Sequence, residues 1–223
     1  MKRTIQIKMC GLTEANTAAA CVALEVDAIG LVFYTKSPRY VSDGQAADIA
    51  AAAGDRAAVV GVFVDEPVDV VLEKARRCGL TAVQLHGRET SADVALLKNA
   101  GLTVIKALFQ KREPSFQAVS FYNPSAFLLE CGRGRLPGGT AQAWDWAEAK
   151  AIAANAPVIL AGGLTPENVG QAVALGRPQA VDVSSGVEAS PGKKDLAKIE
   201  AFVAAVAGIA PTDGDEKTRR IFQ

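Results

Sequence analysis

The chain has 223 residues, 49% hydrophobic and 22% charged, a composition typical of one folded domain and unlike that of a disordered chain. Lys plus Arg and Asp plus Glu both number 24. No overall field therefore recommends nucleic acid or an anionic membrane surface as a partner, and any anion site must be local. The opening Met1-Lys2-Arg3-Thr4-Ile5-Gln6-Ile7-Lys8 carries no apolar signal run, and no stretch is apolar enough to span a bilayer; the expected setting is the cytoplasm.

Cys10, Cys21, Cys78 and Cys131 are scattered without metal-ligand spacing, and His86 is the single histidine. Reduced thiols, no metal and no cofactor are expected.

Short β-rich apolar runs alternate with longer Ala-rich amphipathic stretches from end to end, the signature of repeated βα units and a parallel sheet. Eight strands are expected: Ile5–Met9, Ala28–Phe33, Ala57–Val64, Ala82–Leu85, Thr103–Leu108, Ala126–Leu129, Pro157–Leu160 and Ala180–Val183. Pro67 opens a helix with Val68, Val71, Leu72 and Ala75 on one face, and Gly79 follows its end. Thr165-Pro166-Glu167 reads as the start of another, with a cap, a first-turn proline and an acid. The last helix runs from Asp195, with Leu196, Ile199, Val203 and Val206 as one buried stripe.

The fifth unit is the weakest: Glu113 to Asn123 is poorly periodic and predicts a short or distorted helix. No Gly-x-Gly-x-x-Gly follows any strand, so closure into a (β/α)8 TIM barrel is expected rather than an open doubly wound sheet. Residues 1–210 form this α/β barrel domain, and 211–223, polar and aperiodic, read as a frayed or loosely docked tail.

Chemistry in such barrels sits where strands end, so those residues are read for function. The loops after strands seven and eight, Ala161-Gly162-Gly163-Leu164-Thr165 and Asp182-Val183-Ser184-Ser185-Gly186, carry the glycines that let backbone amides approach a phosphate; turn-making glycines are the plainer alternative. Cys10, at a strand end before Gly11 and two residues from Lys8 on the same face, is a candidate base whose pKa a neighbouring cation lowers; an inert buried thiol is the alternative. Glu130 ends the sixth strand as a candidate general acid, against a salt bridge across the mouth. Arg39 beside Pro38 suits a carboxylate through two parallel hydrogen bonds, against a solvated surface arginine. His86 and Asp182 are placed for supporting roles.

Taken in order, Lys8-Met9-Cys10-Gly11-Leu12-Thr13, Gly30-Leu31-Val32-Phe33, Ser37-Pro38-Arg39, Val62-Phe63-Val64, Gln84-Leu85-His86-Gly87, Gly138-Gly139-Thr140, Asp145-Trp146, Leu160-Ala161-Gly162-Gly163-Leu164 and Asp182-Val183-Ser184-Ser185-Gly186-Val187-Glu188 resemble the phosphoribosylanthranilate isomerase family of tryptophan biosynthesis. The resemblance runs to about Val206. It implies a cofactor-free, metal-free Amadori rearrangement of N-(5-phosphoribosyl)anthranilate by a monomer or homodimer. Cys10 would be the base at C2, Glu130 the acid at the ring oxygen and Arg39 the holder of the anthranilate carboxylate. Gly162, Gly163, Ser184, Ser185 and Gly186 would hold the phosphate, with Lys8, His86 and Asp182 in support.

Two positions depart from the family pattern. Leu128-Leu129-Glu130 stands where Leu-Leu-Asp is usual, and Ala141 replaces the last glycine of Gly-Gly-Thr-Gly. Against this reading stand a catalytically weak sugar-phosphate binder, which leaves Cys10 unexplained, a pentose phosphate epimerase, disfavoured by the lone histidine, and an indoleglycerol phosphate synthase, disfavoured by the motif order.

Overall fold

A computed structural model describes residues 4–132, 144–210 and 220–222. Eight parallel strands close into one barrel in sequence order: β1 (Gln6–Cys10), β2 (Ala28–Val32), β3 (Ala58–Phe63), β4 (Ala82–Leu85), β5 (Thr103–Phe109), β6 (Ala126–Glu130), β7 (Val158–Leu160) and β8 (Ala180–Val183). Each expected strand is present, its ends shifted by at most one residue. β1 lies against β8 with Lys8 opposite Asp182, which closes the ring.

The outer layer comprises α1 (Ala15–Ala23), α2 (Asp43–Ala53), α3 (Val68–Arg77), α4 (Ser91–Asn99), α5 (Ala149–Ala153), α6 (Val169–Gly176) and α7 (Leu196–Ala207). Pro67 caps α3, Val71 and Ala75 are buried, and Gly79 takes φ 65° after the helix, as its sequence predicts. The fifth unit has only a 3-10 turn, Phe116–Phe121, in agreement with its poor periodicity.

Two helices differ from expectation. α6 begins at Val169 rather than near Pro166, because the Asn168 side chain accepts from Thr165 N and donates to Gly163 O, turning the chain before the helix starts. In α7, Leu196 is 49% exposed and Phe202 takes its place in the buried stripe. A small antiparallel hairpin, β9 (Glu188–Ser190) with β10 (Lys193–Lys194), was not foreseen; it intervenes between β8 and α7.

β2, β4, β6 and β8 each begin with alanine: Ala28, Ala82, Ala126 and Ala180, all buried in the barrel interior. Inward residues of alternate strands stack in layers, and four alanines make a layer too small to fill itself. Ile221 and Phe222 complete it, packed in the same cluster at 7% and 3% exposure. Gln6 clamps their backbone: Oε1 accepts from Ile221 N and Phe222 N, while Nε2 donates to Phe222 O at 2.7 Å. Arg220 pairs with Asp27. Residues 220–222 are therefore docked, the second of the two states expected for a frayed or loosely docked tail; 211–219 lie outside the described residues.

Phe222→Ala should cost about 3 kcal/mol, the lower end of the range for buried aromatics, and so lower Tm by roughly 6 to 12 °C in a protein of this size. A thermal melt with an unchanged midpoint would contradict a filled barrel floor.

Candidate active site

The strand ends on the opposite rim carry two clusters of polar side chains. The first spans β1, β2 and β8. Lys8 is fully buried, and its Nζ donates to Asp182 Oδ1 at 2.7 Å. Burial works against the ammonium, but Asp182 and then Cys10 outweigh it, so its pKa lies above the ordinary value.

Gly30, beside Cys10 across the β1–β2 ladder, explains why the thiol and the lysine can share a face. A Cβ there would meet Cys10 Sγ at 2.8 Å and Lys8 Nζ at 3.1 Å.

Cys10 is 8% exposed. Burial pushes its thiol above the ordinary value; Lys8 pulls the other way, and Asp182 adds to the rise. The sequence expectation of a lowered pKa is thus reversed. Lys8 is committed to Asp182, and burial outweighs what remains of its field.

Arg39 is buried rather than a solvated surface residue. Its Nε and Nη2 donate to the two oxygens of Glu188 at 2.8 and 2.7 Å. Glu188 also accepts from Lys194 Nζ at 2.9 Å, and Lys194 donates to Ser184 O at 3.0 Å. Burial opposes the Glu188 carboxylate, but Arg39 and Lys194 hold its pKa below the usual range. Gly11, at φ 75°, lets the Arg39 stem pass beside Ser184 Oγ, where a Cβ would collide. Lys194 escaped the sequence reading: it lies on β10, remote from any barrel strand end, and only the hairpin folds it back.

The second cluster spans β4, β5 and β6. Gln84 Nε2 lies 2.9 Å from His86 Nδ1. With that amide donating, the ring proton belongs on Nε2, which stands 3.2 Å from Glu130 Oε2. The line is off that of a formed N–H···O bond, so Nε2 counts as buried and unpartnered. His86 packs edge-on against Phe109 at 5.2 Å. Beside Glu130 is Gly162, at φ 88°, where a Cβ would lie 3.2 Å from Glu130 Cγ.

Glu130 thus approaches the loop after β7. Gly162 and Gly163 both have positive φ, and the Trp144 indole N–H donates to Ala161 O at 2.8 Å. After β8, Ser185–Val187 form a 3-10 turn, and a Cβ on Gly186 would run into the Leu164 carbonyl, bringing the two glycine loops together. The Gly138-Gly139-Thr140-Ala141 motif lies outside the described residues. Among those described, no group of acidic, Cys and His side chains could hold a metal, and no helix is long and apolar enough to cross a membrane.

A cavity of about 230 Å³ opens beyond His86, lined by Tyr34, Val64, Asp65, His86, Arg88 and Arg112 among others. Beneath it, fully buried Lys106 pairs with Glu89 at 2.8 Å and donates to Gly87 O at 2.8 Å, while Glu89 accepts from Asp65 N and Gly87 N. This pair ties the loops after β3 and β4 to strand β5.

A closed parallel barrel whose rim sets a thiol and a carboxyl group beside two glycine loops defines a (β/α)8-barrel enzyme. The comparisons give the family. Residues 7–205 match the model for N-(5'-phosphoribosyl)anthranilate (PRA) isomerase. A curated relative of that name from Desulfatibacillum aliphaticivorans is 48% identical over 218 residues, covering 98% of this chain and 99% of the relative. The solved phosphoribosyl anthranilate isomerase of Thermus thermophilus superposes with TM-score 0.84 at 35% identity, over 92% of this chain and 100% of that one. A second solved isomerase, in complex with reduced 1-(o-carboxyphenylamino)-1-deoxyribulose 5-phosphate, has TM-score 0.80 at 36% identity, over 92% and 99%. The chain belongs to the N-(5'-phosphoribosyl)anthranilate isomerase family.

The site's electrostatics are testable directly. Alkylation of Cys10 by iodoacetamide in the ligand-free protein should stay slow at pH 7 and rise only above about pH 8.5, since the reactive thiolate is the disfavoured form. Asp182→Asn removes the anion that raises the thiol and frees Lys8, so it should speed alkylation at pH 8. Mass-spectrometric rates equal to or below wild type would show that burial alone sets the thiol.

Proposed function

We propose that the chain isomerises N-(5-phosphoribosyl)anthranilate to 1-(2-carboxyphenylamino)-1-deoxyribulose 5-phosphate, with Glu130 as acid and Cys10 as base. The carrying observation is the placement of these two groups around the ring of strands. The glycine loops follow β7 and β8. The cavity faces them from the loops after β2 to β5. Cys10 on β1 and Glu130 on β6 stand on the two flanks of the line joining those sites. A substrate with its phosphate at one end and its aryl group at the other lies with its sugar between acid and base.

Glu130 gives its proton to the furanose oxygen; the C1–O bond breaks and the anilino nitrogen forms an iminium with C1. The positive charge acidifies the C2 proton, which Cys10 takes, leaving an enolamine that becomes the ketone as C1 gains a proton and the C2 hydroxyl loses its own to solvent. Gly162, Gly163, Ser184, Ser185 and Gly186 hold the phosphate through backbone and hydroxyl donors. Lys8 and Asp182 seat the thiol, and His86, fixed by Gln84, positions the carboxyl of Glu130. Arg39, locked by Glu188, keeps Nη1 for the substrate carboxylate. All four cysteines are free, which supports a reducing compartment such as the cytoplasm.

Cys10→Ala and Glu130→Gln should each lower kcat by about 100-fold to 10,000-fold, while Glu130→Asp keeps measurable turnover because an acid remains. Conversion is followed with purified protein and phosphoribosylanthranilate, no metal added. Near-wild-type kcat in Glu130→Gln would remove Glu130 as the acid. Gly163→Ala should weaken competitive inhibition by inorganic phosphate about tenfold, the cost of one lost charge-assisted bond; unchanged inhibition would move the phosphate elsewhere.

A further inference from the structure

Two buried groups of charge stand near Cys10, and they differ in balance. Lys8, on its own strand, is matched one to one by Asp182 of β8 at 2.7 Å, so that pair has no net charge. The other group holds two cations and one anion: Arg39, in the loop after β2, and Lys194, on β10, share the carboxylate of Glu188 on β9. It has one positive charge in excess.

This second group reaches the thiol through Gly11 and Ser184. Gly11 follows Cys10 in the chain, and a Cβ on it would collide with Arg39 Cδ and stand 3.1 Å from Ser184 Oγ. Lys194 Nζ lies 3.3 Å from that same Ser184 Oγ. Nζ also donates to Ser184 O at 3.0 Å and to Glu188 Oε1 at 2.9 Å, which commits the three donors of an ammonium. Lys194 therefore acts by charge and placement rather than by a bond kept for a ligand. Its side chain is 2% exposed, so solvent ions screen that charge little.

The hairpin that delivers Lys194 is pinned on two sides. Thr13 Oγ1, after β1, donates to Gly192 O at 2.9 Å. Gly192, at φ 82°, passes so near Pro38 O that a Cβ would stand 2.5 Å from it. At the base of the hairpin Asp195 N donates to Val187 O at 2.9 Å. The remaining neighbours of Cys10 among the described residues bring no carboxylate or ammonium: Gly30 across the ladder, and Val32, Val62 and the Tyr34 ring in its apolar cluster.

We propose that Lys194 is a positioning residue for the base: it gives the Arg39–Glu188–Lys194 cluster its excess positive charge, and that cluster, rather than Lys8, is the counterion a Cys10 thiolate meets in the free enzyme. The proposal rests on the isomerase reading, in which Cys10 is the base, and deepens it at the seam of β1 and β8. Glu188 keeps two buried cations together while cancelling only one of them. The electrostatics agree in direction. Burial raises the pKa of the thiol, Lys8 and Lys194 lower it, and Asp182 adds to the rise, offsetting Lys8. Burial lowers that of Lys194, Glu188 and Cys10 raise it, and Arg39 lowers it further.

Iodoacetamide alkylation of Cys10 in the whole chain, without substrate and followed by mass spectrometry across a pH series, reads the thiolate and separates a shift of the profile from a change in access. Lys194→Met keeps the volume and removes the charge; it should alkylate about tenfold slower at pH 8, the fall in thiolate expected when one neighbouring charge is lost. Lys194→Arg should keep most of the wild-type rate. Glu188→Gln breaks the same cluster but removes an anion, so it should alkylate at least as fast as wild type. These opposite signs distinguish charge from a disturbed hairpin, which would move both variants the same way. With phosphoribosylanthranilate, the acidic limb of kcat/KM, which reports the base of the free enzyme, should move to higher pH in Lys194→Met. Alkylation at the wild-type rate in Lys194→Met, or slowed equally in Glu188→Gln, would overturn the proposal. So would weakened inhibition by inorganic phosphate with alkylation untouched, which would assign Lys194 to the phosphate loop instead. Failure of the isomerase reading itself looks different: wild type would not convert phosphoribosylanthranilate, whatever the alkylation rates gave.

Discussion

The buried ion pair between Lys8 and Asp182 is the constraint on which the rest depends. It joins the first strand to the last, where the barrel must close, and it does so at the level of the active rim. A lysine with no exposed surface has no solvent to retreat to, so removing either partner leaves an uncompensated charge, at a cost of about 3 to 5 kcal/mol. The pair also places everything around it. Cys10 lies two residues up β1 on the same face, and Ser184 to Gly186 follow two residues after Asp182. Gly30 supplies the space that a larger residue on β2 would take away. Stability of closure and position of the thiol are therefore one requirement.

What the sequence made legible was what period and punctuation encode. A strand of alternate inward and outward residues followed by an amphipathic helix leaves a local trace, and all eight strands were readable for that reason. Candidate polar residues and glycines were readable at strand ends because a barrel gathers those ends on one rim. What escaped has no local trace. Lys194 lies beside Ser184 and Glu188 only because an irregular hairpin returns it. The loss of Leu196 from the α7 stripe in favour of Phe202 reflects which side of the helix faces the barrel. Arg39 was read for its donors, but its acceptor, Glu188, is 149 residues away in the chain. The start of α6 was misplaced because Asn168 competes for the backbone groups that Thr165 and Pro166 seemed to prepare for a helix.

The barrel floor shows the same limit from the other side. Ala28, Ala82, Ala126 and Ala180 are each unremarkable as a strand's first residue. Their meaning appears only when alternate strands bring them to one level and leave a void that Ile221 and Phe222 occupy. Polarity along 211–219 suggested a loose tail, and two apolar residues after it were too few to carry a periodic signal. Gln6 then does at the bottom what glycines do at the top: it meets backbone groups that have no strand partner, accepting from two N–H groups and donating to a carbonyl. The two ends of the barrel are thus specialised, one sealed by side chains and one left open for a ligand.

The raised pKa of Cys10 bears on how such a site works. The thiol faces a lysine already neutralised by Asp182, and burial favours its neutral form. A thiol can serve as the base only after its own proton has passed to solvent, and a positive charge developed by the proposed reaction would favour that loss. In the proposed reaction, ring opening by Glu130 would create an iminium cation on the carbon next to the one Cys10 would deprotonate. A positive charge so close would favour the thiolate by the same Coulomb effect by which Asp182 disfavours it. Under that proposal acid and base would be coupled in sequence, the acid's proton transfer generating the field that readies the base. The longer Glu130 side chain fits this scheme as long as its carboxyl reaches the ring oxygen, which the open Gly162 beside its Cγ and the His86 ring beside its Oε2 both permit.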